Sequence, residues 1–349
     1  MKLLIITQVV DEDHPILGFF HRWLIEFAKH CEHVHVICLH VGNHSLPTNV
    51  TVHSLGKEQG AGRLQYLIRF YRLIIQLRNE YDQVFVHMNQ IYVILGAPLW
   101  KVLRKKISFW YAHGKVSFSL RIATVLTDIV FTSTSEGFQI DTYKKYIVGQ
   151  GIDTEIFTPL LKQKNEELLQ LITVGRIAPT KNIGTLLRAC TLLKKQEVRF
   201  HFKVIGVAIT EEENQYFEQM KKLAVSEDIE ENVTWVGPIK NSQLPTYLQA
   251  ASVFIHDSAT ASLDKALLEA ALCGCVVISS NKAYRALTNN IAPGLLFTEG
   301  DSVTLAKNVI ENARYSTEFL QEEILKRASL PDLVHAIIRR LKSESMAKV

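Results

Sequence analysis

The sequence predicts an α/β chain of two doubly wound, Rossmann-like domains facing each other across a cleft. Three observations carry this prediction. Short apolar runs alternate with amphipathic stretches along the chain. Those runs are apolar on nearly every residue, the mark of parallel strands buried on both faces. The alternation restarts after residues 149–159, and 349 residues suffice for two such cores.

In the first half, residues 3–7 (Leu-Leu-Ile-Ile-Thr), 33–39, 83–87, 107–111 and 128–132 read as strands, rich in Ile, Val, Leu and Phe. Residues 18–29 carry Phe19, Phe20, Trp23, Leu24 and Phe27 at helical spacing and read as a helix. Residues 63–80, 92–104, 116–126 and 135–143 read as the helices that follow. In the second half, 171–174, 200–205, 233–236, 252–256 and 276–279 read as strands. Residues 181–193, 212–225, 243–248 and 264–272 read as helices between them. Residues 333–346 form a last amphipathic helix, with Pro331 just ahead of it, where a helix start tolerates proline. The expected organisation is an N-terminal domain over 1–158, with a polar linker ending near 167, and a C-terminal domain over 159–330. A terminal helix over 331–349 packs back on the N-terminal domain.

The composition is that of an ordinary globular protein: 47% hydrophobic and 21% charged. That excludes long disorder and fibrous architecture. No apolar run approaches the ~18 residues of a membrane span. The first strand turns acidic at Asp11-Glu12-Asp13, too soon for a secretory signal, so a cytoplasmic protein is expected. The five cysteines (Cys31, Cys38, Cys190, Cys273 and Cys275) are odd in number and show no C-x-x-C pair. They read as small buried hydrophobes rather than disulfides or zinc ligands. A net charge of +4 does not point to nucleic acid. The charge is uneven, however: residues 62–121 hold ten basic residues against Glu80 and Asp82, a net +8.

Two segments carry the chemistry. In Val174-Gly175-Arg176-Ile177-Ala178-Pro179-Thr180-Lys181-Asn182 a strand passes through a glycine turn into a helix. Gly175 lets the backbone approach a ligand. Arg176 and Lys181 place two cations beside a helix N-terminus, a combination suited to a diphosphate. The same residues also suit a solvated strand–helix loop. In the second segment, His256 to Val277, a strand ends in a small polar loop and a helix follows. Glu269 lies among Leu268, Ala271 and Leu272, where a carboxylate is costly without a partner. A ribose diol would be one such partner; an ordinary exposed glutamate is the alternative. Loop amides around Ser262, Leu263 and Asp264, at the helix start, offer a further anion site.

Gly175-Arg176 with Lys181, then Val236-Gly237, then Leu268-Glu269-Ala270-Ala271-Leu272-Cys273-Gly274, resemble the retaining glycosyltransferases of family 4 (group 1), which have the GT-B fold. The Gly151-Ile152-Asp153 linker with Phe157 and Pro159 is similar to theirs, as is the stretch from Leu248 to Ile255. The likeness is strong over 170–280 and weaker over 1–148. It implies that Arg176 and Lys181 hold the donor diphosphate and stabilise the leaving group. Glu269 would bind ribose hydroxyls, and Gly237 would line the base pocket. Gly18 stands where the family has a glycine-rich loop, with one glycine where two are usual. His113 matches a histidine that contacts the donor sugar; a purely structural histidine is the alternative. The family has a second glutamate eight positions before Glu269, where this chain has Ala261. Asp264 is the nearest carboxylate able to substitute for it.

The resemblance implies transfer of a sugar, with retention, from a UDP- or GDP-linked donor to a glycan or lipid-linked acceptor in cell-surface polysaccharide synthesis. No metal or cofactor is expected. Asp11-Glu12-Asp13 has the letters of a metal-binding D-x-D motif but lies in the loop after the first strand. The basic, apolar stretch 63–80 suits contact with an anionic membrane at its inner face. Two rival functions share this fold. One is a nucleotide-sugar epimerase, which would need a cluster of proton-transfer groups. The other is a nucleotide- or sugar-binding scaffold that lost catalysis with the change at Ala261.

Overall fold

A computed structural model describes residues 1–159, 168–258, 260, 262–288 and 293–346. The chain divides into two compact units: Met1–Gly151 with Ala328–Val349, and Ile152–Arg327.

The N-terminal unit contains β1 (Lys2–Val10), α1 (Phe19–His30), β2 (His33–Val41), β3 (Val50–Ser54), α2 (Arg63–Gln76), β4 (Gln83–His87), α3 (Gln90–Val102), β5 (Lys106–Trp110), α4 (Phe118–Leu126), β6 (Ile129–Thr132) and β7 (Lys145–Ile147). Among the described residues the strands form one parallel sheet in the order β3-β2-β1-β4-β5-β6-β7. The continuous apolar runs are explained by the two faces of this sheet. Leu3 and Ile5 of β1 join Val34, Val36 and Phe85 in one core, against Phe20, Trp23, Leu24 and Phe27 of α1. Leu4 and Ile6 point the other way, into a core with Val84, Val86, Phe109 and Trp100.

The C-terminal unit contains β8 (Leu169–Val174), α5 (Ile183–Lys195), β9 (Phe200–Ile205), α6 (Glu211–Ser226), β10 (Val233–Gly237), α7 (Leu244–Ala250), β11 (Val253–His256), α8 (Lys265–Leu272), β12 (Val276–Ser279), α9 (Lys282–Thr288), α10 (Ser302–Asn312) and α11 (Glu318–Ala328). Its parallel sheet has the order β10-β9-β8-β11-β12. The winding reverses between β8 and β11. In open parallel sheets, ligands bind beyond the carboxyl ends of the strands at such a reversal. The last helix, α12 (Leu330–Met346), belongs to the N-terminal unit. Its Leu333, Val334, Ile337 and Leu341 complete the core beneath α1.

Three expectations need correction. Residues 135–143 are turns, not a helix. Only Gly137 and Phe138 are buried there, and Thr134 Oγ1 accepts the Gly137 N–H at 3.1 Å, closing a local turn that competes with a helix. The helix begun at Arg63 ends at Gln76 rather than at residue 80. Strands β3 and β7 fall where none was expected. Both are sheet edges, half-buried and partly polar, so they lack a continuous apolar run. The polar stretch 162–167 lies outside the described residues. All five cysteines are buried.

Ile337 is fully buried between α12 and the sheet. Ile337→Ala is expected to lower the stability of the N-terminal unit by about 2–5 kcal/mol, the cost of a large-to-small core change, measured by urea unfolding.

Candidate functional site

The carboxyl edge of the second sheet is shaped by glycine. Gly175, Gly206 and Gly237 follow or end β8, β9 and β10, with φ of 152°, 149° and 84°. Gly175 N donates to Ile205 O and Gly206 N to Gly237 O, each at 3.0 Å. A Cβ on Gly206 would lie 1.8 Å from the Gly175 carbonyl oxygen, so only glycine allows the two turns to lie this close. At Gly237 an added Cβ would meet nothing, and the conformation alone asks for glycine. Gly206 was not singled out in the sequence, although a glycine directly after an apolar strand was the available signal.

Lys181 follows β8 and Asp264 follows β11, so the two flank the reversal in winding. Lys181 Nζ donates to Asp264 Oδ2, and His256 Nε2 lies 3.2 Å from the same oxygen. Asp264 Oδ1 accepts the Ala266 N–H at 3.3 Å and caps α8. Burial pushes the Asp264 carboxyl up. The Lys181 ammonium and the His256 N–H outweigh it and hold the group far below the usual carboxylate range.

The other two cations are also met by carboxylates. Arg176 Nε lies 3.2 Å from Glu213 Oε1. Glu213 Oε2 accepts the N–H groups of Ile209 and Thr210, closing a capping box at the start of α6. Lys265 Nζ lies 3.4 Å from Glu269 Oε1, one helical turn away on α8. Glu269 is 4% exposed. Burial pushes its carboxyl up, and Lys265 only partly offsets this. The structure thus places Arg176, Lys181, Asp264 and Glu269 at or just beyond the carboxyl edge of one sheet, each with a partner.

The loop between β11 and α8 is pinned from below. Buried Asp257 accepts the Ser280 hydroxyl at 2.6 Å and the Gly300 N–H at 3.0 Å. Asn281 Nδ2 donates to the carbonyls of Thr260 and Ser262, at 3.2 and 3.0 Å. Ser262 and Leu263 are half-buried in this loop. Ala261 lies outside the described residues.

Gly18 and His113 belong to the N-terminal unit. Gly18 lies beyond the carboxyl end of β1 and precedes α1. A Cβ there would come within 2.6 Å of the His14 carbonyl oxygen, so the turn requires glycine. His113 is exposed beyond the end of β5, and its backbone N–H donates to Gly137 O at 3.0 Å. The sequence reading missed His256, Ser279, Asp257 and Glu213. Only Glu213 had a readable signal, the Thr210-x-x-Glu213 capping pattern. Among the described residues no group of three or more His, Cys, Asp and Glu is arranged to hold a metal ion.

Two doubly wound units in one chain define the GT-B class of fold. The structure matches that of HepE from Anabaena, solved with UDP and glucose, over 98% of this chain and 100% of that one, with TM-score 0.79 and 19% identity. It matches sucrose-phosphate synthase from Thermosynechococcus elongatus over the whole of both chains, with TM-score 0.79 and 16% identity. Residues 157–315, all within the C-terminal unit, match the family described as glycosyl transferases group 1. The amylovoran biosynthesis glycosyltransferase AmsK of Erwinia amylovora is 27% identical over 191 residues, 53% of this chain and 46% of AmsK. The putative colanic acid biosynthesis glycosyltransferase WcaL of Escherichia coli is 25% identical over 185 residues, 51% of this chain and 44% of WcaL. The chain spans about half the length of these curated relatives.

Asp264 sets a pH dependence. Its folded carboxyl titrates below the ordinary value of 3.8, so its contribution to stability is complete above that value and is lost as the pH falls below it. Asp264→Asn is expected to cost about 3 kcal/mol at pH 7, the low end for a buried pair losing one partner. Urea unfolding should show a gap to the native protein that is constant from about pH 7 to 5 and narrows below about pH 4.

Proposed function

We propose that the chain is a retaining, metal-independent glycosyltransferase. It moves a sugar from a nucleotide-diphosphate donor to a glycan or lipid-linked acceptor in cell-surface polysaccharide synthesis. The observation that carries this reading is the placement of Arg176 and Lys181 after β8, at the reversal in winding, within the segment that matches the family. The names of the relatives, which speak of amylovoran and colanic acid biosynthesis, support the pathway class.

In this reading the bond from the anomeric carbon to the β-phosphate oxygen breaks, and charge grows on the diphosphate. Lys181 has three N–H donors; Asp264 uses one, leaving two for the leaving group. Arg176, half-exposed, turns from Glu213 towards the same anion. The pre-positioned Lys181, the turned Arg176 and loop amides around Ser262, Leu263 and Asp264 bind this charge more strongly in the transition state than in the ground state. The acceptor oxygen bonds to the anomeric carbon on the face the diphosphate leaves, and its proton passes to the departing phosphate oxygen. Glu269 takes the ribose hydroxyls, and Gly175 and Gly237 leave room for the backbone to approach the nucleotide. Gly18 and His113 serve the donor and its sugar from the N-terminal unit.

UDP is the first nucleotide to test, since HepE was solved with UDP and glucose; GDP is the second. Membrane contact is part of the reading. Leu64, Ile68 and Ile75 of α2 are exposed, beside exposed Arg72 and Arg78, a surface suited to an anionic bilayer near a lipid-linked acceptor. No helix among the described residues is long and apolar enough to cross a membrane.

A thermal-shift panel of UDP, GDP, ADP and CDP, with and without Mg²⁺, tests the donor site. One nucleotide should raise the melting temperature without metal, by an amount corresponding to about 2.7 kcal/mol at a hundredfold excess over its Kd. Lys181→Ala should abolish turnover and leave only a small part of the shift. A shift of native size in this variant overturns the diphosphate assignment. Nucleotide binding without transfer or donor hydrolysis would identify a scaffold. Interconversion of the donor sugar without an acceptor would identify an epimerase.

A further inference from the structure

We propose that His256 is a positioning residue for Lys181, acting through the Asp264 carboxylate to hold the ammonium where a nucleotide diphosphate would meet it. The role rests on the donor-site reading above and names a residue that reading did not use.

His256 is the last residue of β11 and is 2% exposed. The β11–β12 register sets Ser279 directly beside it. Ser279 Oγ lies 3.0 Å from His256 Nδ1 and accepts the Asn281 N–H at 3.1 Å. With that N–H arriving from one side, the serine hydroxyl is free to donate to Nδ1. The ring proton then sits on Nε2, facing Asp264 Oδ2 at 3.2 Å, and donates to it. The opposite tautomer would aim a nitrogen lone pair at a carboxylate, so the network selects this one.

Asp264 is therefore held at both oxygens. Oδ2 receives His256 Nε2–H and Lys181 Nζ–H, and Oδ1 receives the Ala266 N–H at the start of α8. A carboxylate tied in this way cannot rotate to follow a mobile lysine; instead it fixes where the ammonium rests. Burial holds the imidazole below its ordinary titration range despite the pull of Asp264. His256 thus contributes direction without charge. A charged imidazole would compete with Lys181 for the same oxygen. The carboxylate and imidazole together act on the lysine as outer partners act on a directly binding group, by removing its freedom to miss.

The test compares binding of UDP, GDP, ADP and CDP with that of the matching monophosphates, by calorimetry, in native protein and in Lys181→Met, His256→Leu, His256→Gln and Ser279→Ala. Folding is checked by circular dichroism. His256→Leu is expected to lose about tenfold in affinity for the diphosphate that binds, with little change for its monophosphate. His256→Gln, which keeps an N–H donor at a similar reach, should recover most of the loss. Ser279→Ala, which removes the group that sets the tautomer and also the acceptor of the Asn281 N–H, should lie between them for the diphosphate while leaving the monophosphate unchanged, and provides the reading if His256→Leu does not fold. In a Lys181→Met background, His256→Leu should cost nothing further. If Lys181→Met weakens diphosphate binding but His256→Leu and Ser279→Ala do not, or if the effects of positions 181 and 256 simply add, the positioning role is overturned and the donor site stands. If no diphosphate binds the native protein, or Lys181→Met binds it as well as native, the donor-site reading falls and this role falls with it.

Discussion

The site depends on one half-buried carboxylate being kept ionised. Asp264 sits at the start of α8, largely out of water, where a lone negative charge would be costly. It is tolerated because a lysine, an imidazole N–H and a backbone N–H converge on it from three different elements. The lysine comes from the turn after β8, the imidazole from the end of β11, and the amide from α8. The carboxylate therefore joins the two strands on either side of the reversal in winding. Its removal would loosen the loop, the helix start and the cation together.

The same accounting runs through the whole edge. Among the described residues three ion pairs stand there: Arg176 with Glu213, Lys181 with Asp264, and Lys265 with Glu269. The pairs differ in how far they are shielded from water. Arg176 is 49% exposed on its side chain, Lys181 20% and Lys265 17%. An exposed pair contributes little and parts easily, whereas a buried one is strongly destabilised by losing a partner. Arg176 is thus the cation most able to turn towards an incoming anion. Lys181 is set in place beforehand, and Lys265 offsets part of the cost of burying Glu269. A site that holds its own counter-ions keeps its shape before the ligand arrives.

The sequence disclosed features set by local chemistry and missed those set by register. Strands β4 and β12 match their expected limits because runs buried on both faces end abruptly, and β9 matches because Phe200, Phe202 and Val204 alternate with the half-buried His201 and Lys203. The turn that carries Arg176 and Lys181 was readable because a glycine follows the strand directly and the helix begins within a few residues, at Ile183. The edge strands β3 and β7 were not, because both are half-buried and partly polar, unlike β12, an edge strand that is buried throughout. Residues 135–143 misled because Phe138 and Ile140 suggest an amphipathic face, while Thr134 and Gly137 close a turn first. His256 and Ser279 stand 23 residues apart and meet only because parallel pairing puts them opposite each other. Glu213 shows its capping role in four residues of sequence, but its hold on Arg176 exists only in three dimensions.

The gathering of chemistry follows from parallel pairing itself. In a parallel sheet every strand ends on the same edge, and each following helix begins there with its unpaired N–H groups pointing outwards. Each loop at that edge is thus an opportunity to place a polar residue without disturbing the core. The two units use it alike. Gly18 follows β1 and His113 follows β5 in one; Gly175 follows β8 and His256 ends β11 in the other. The glycines stand where the backbone must turn tightly, and the side chains stand where a turn has just released the chain from the sheet. Burial on both faces holds these edges rigid, since a strand packed on either side cannot shift without disturbing two cores. The apolar interior of each unit is therefore what makes a polar site at its rim precise enough for chemistry.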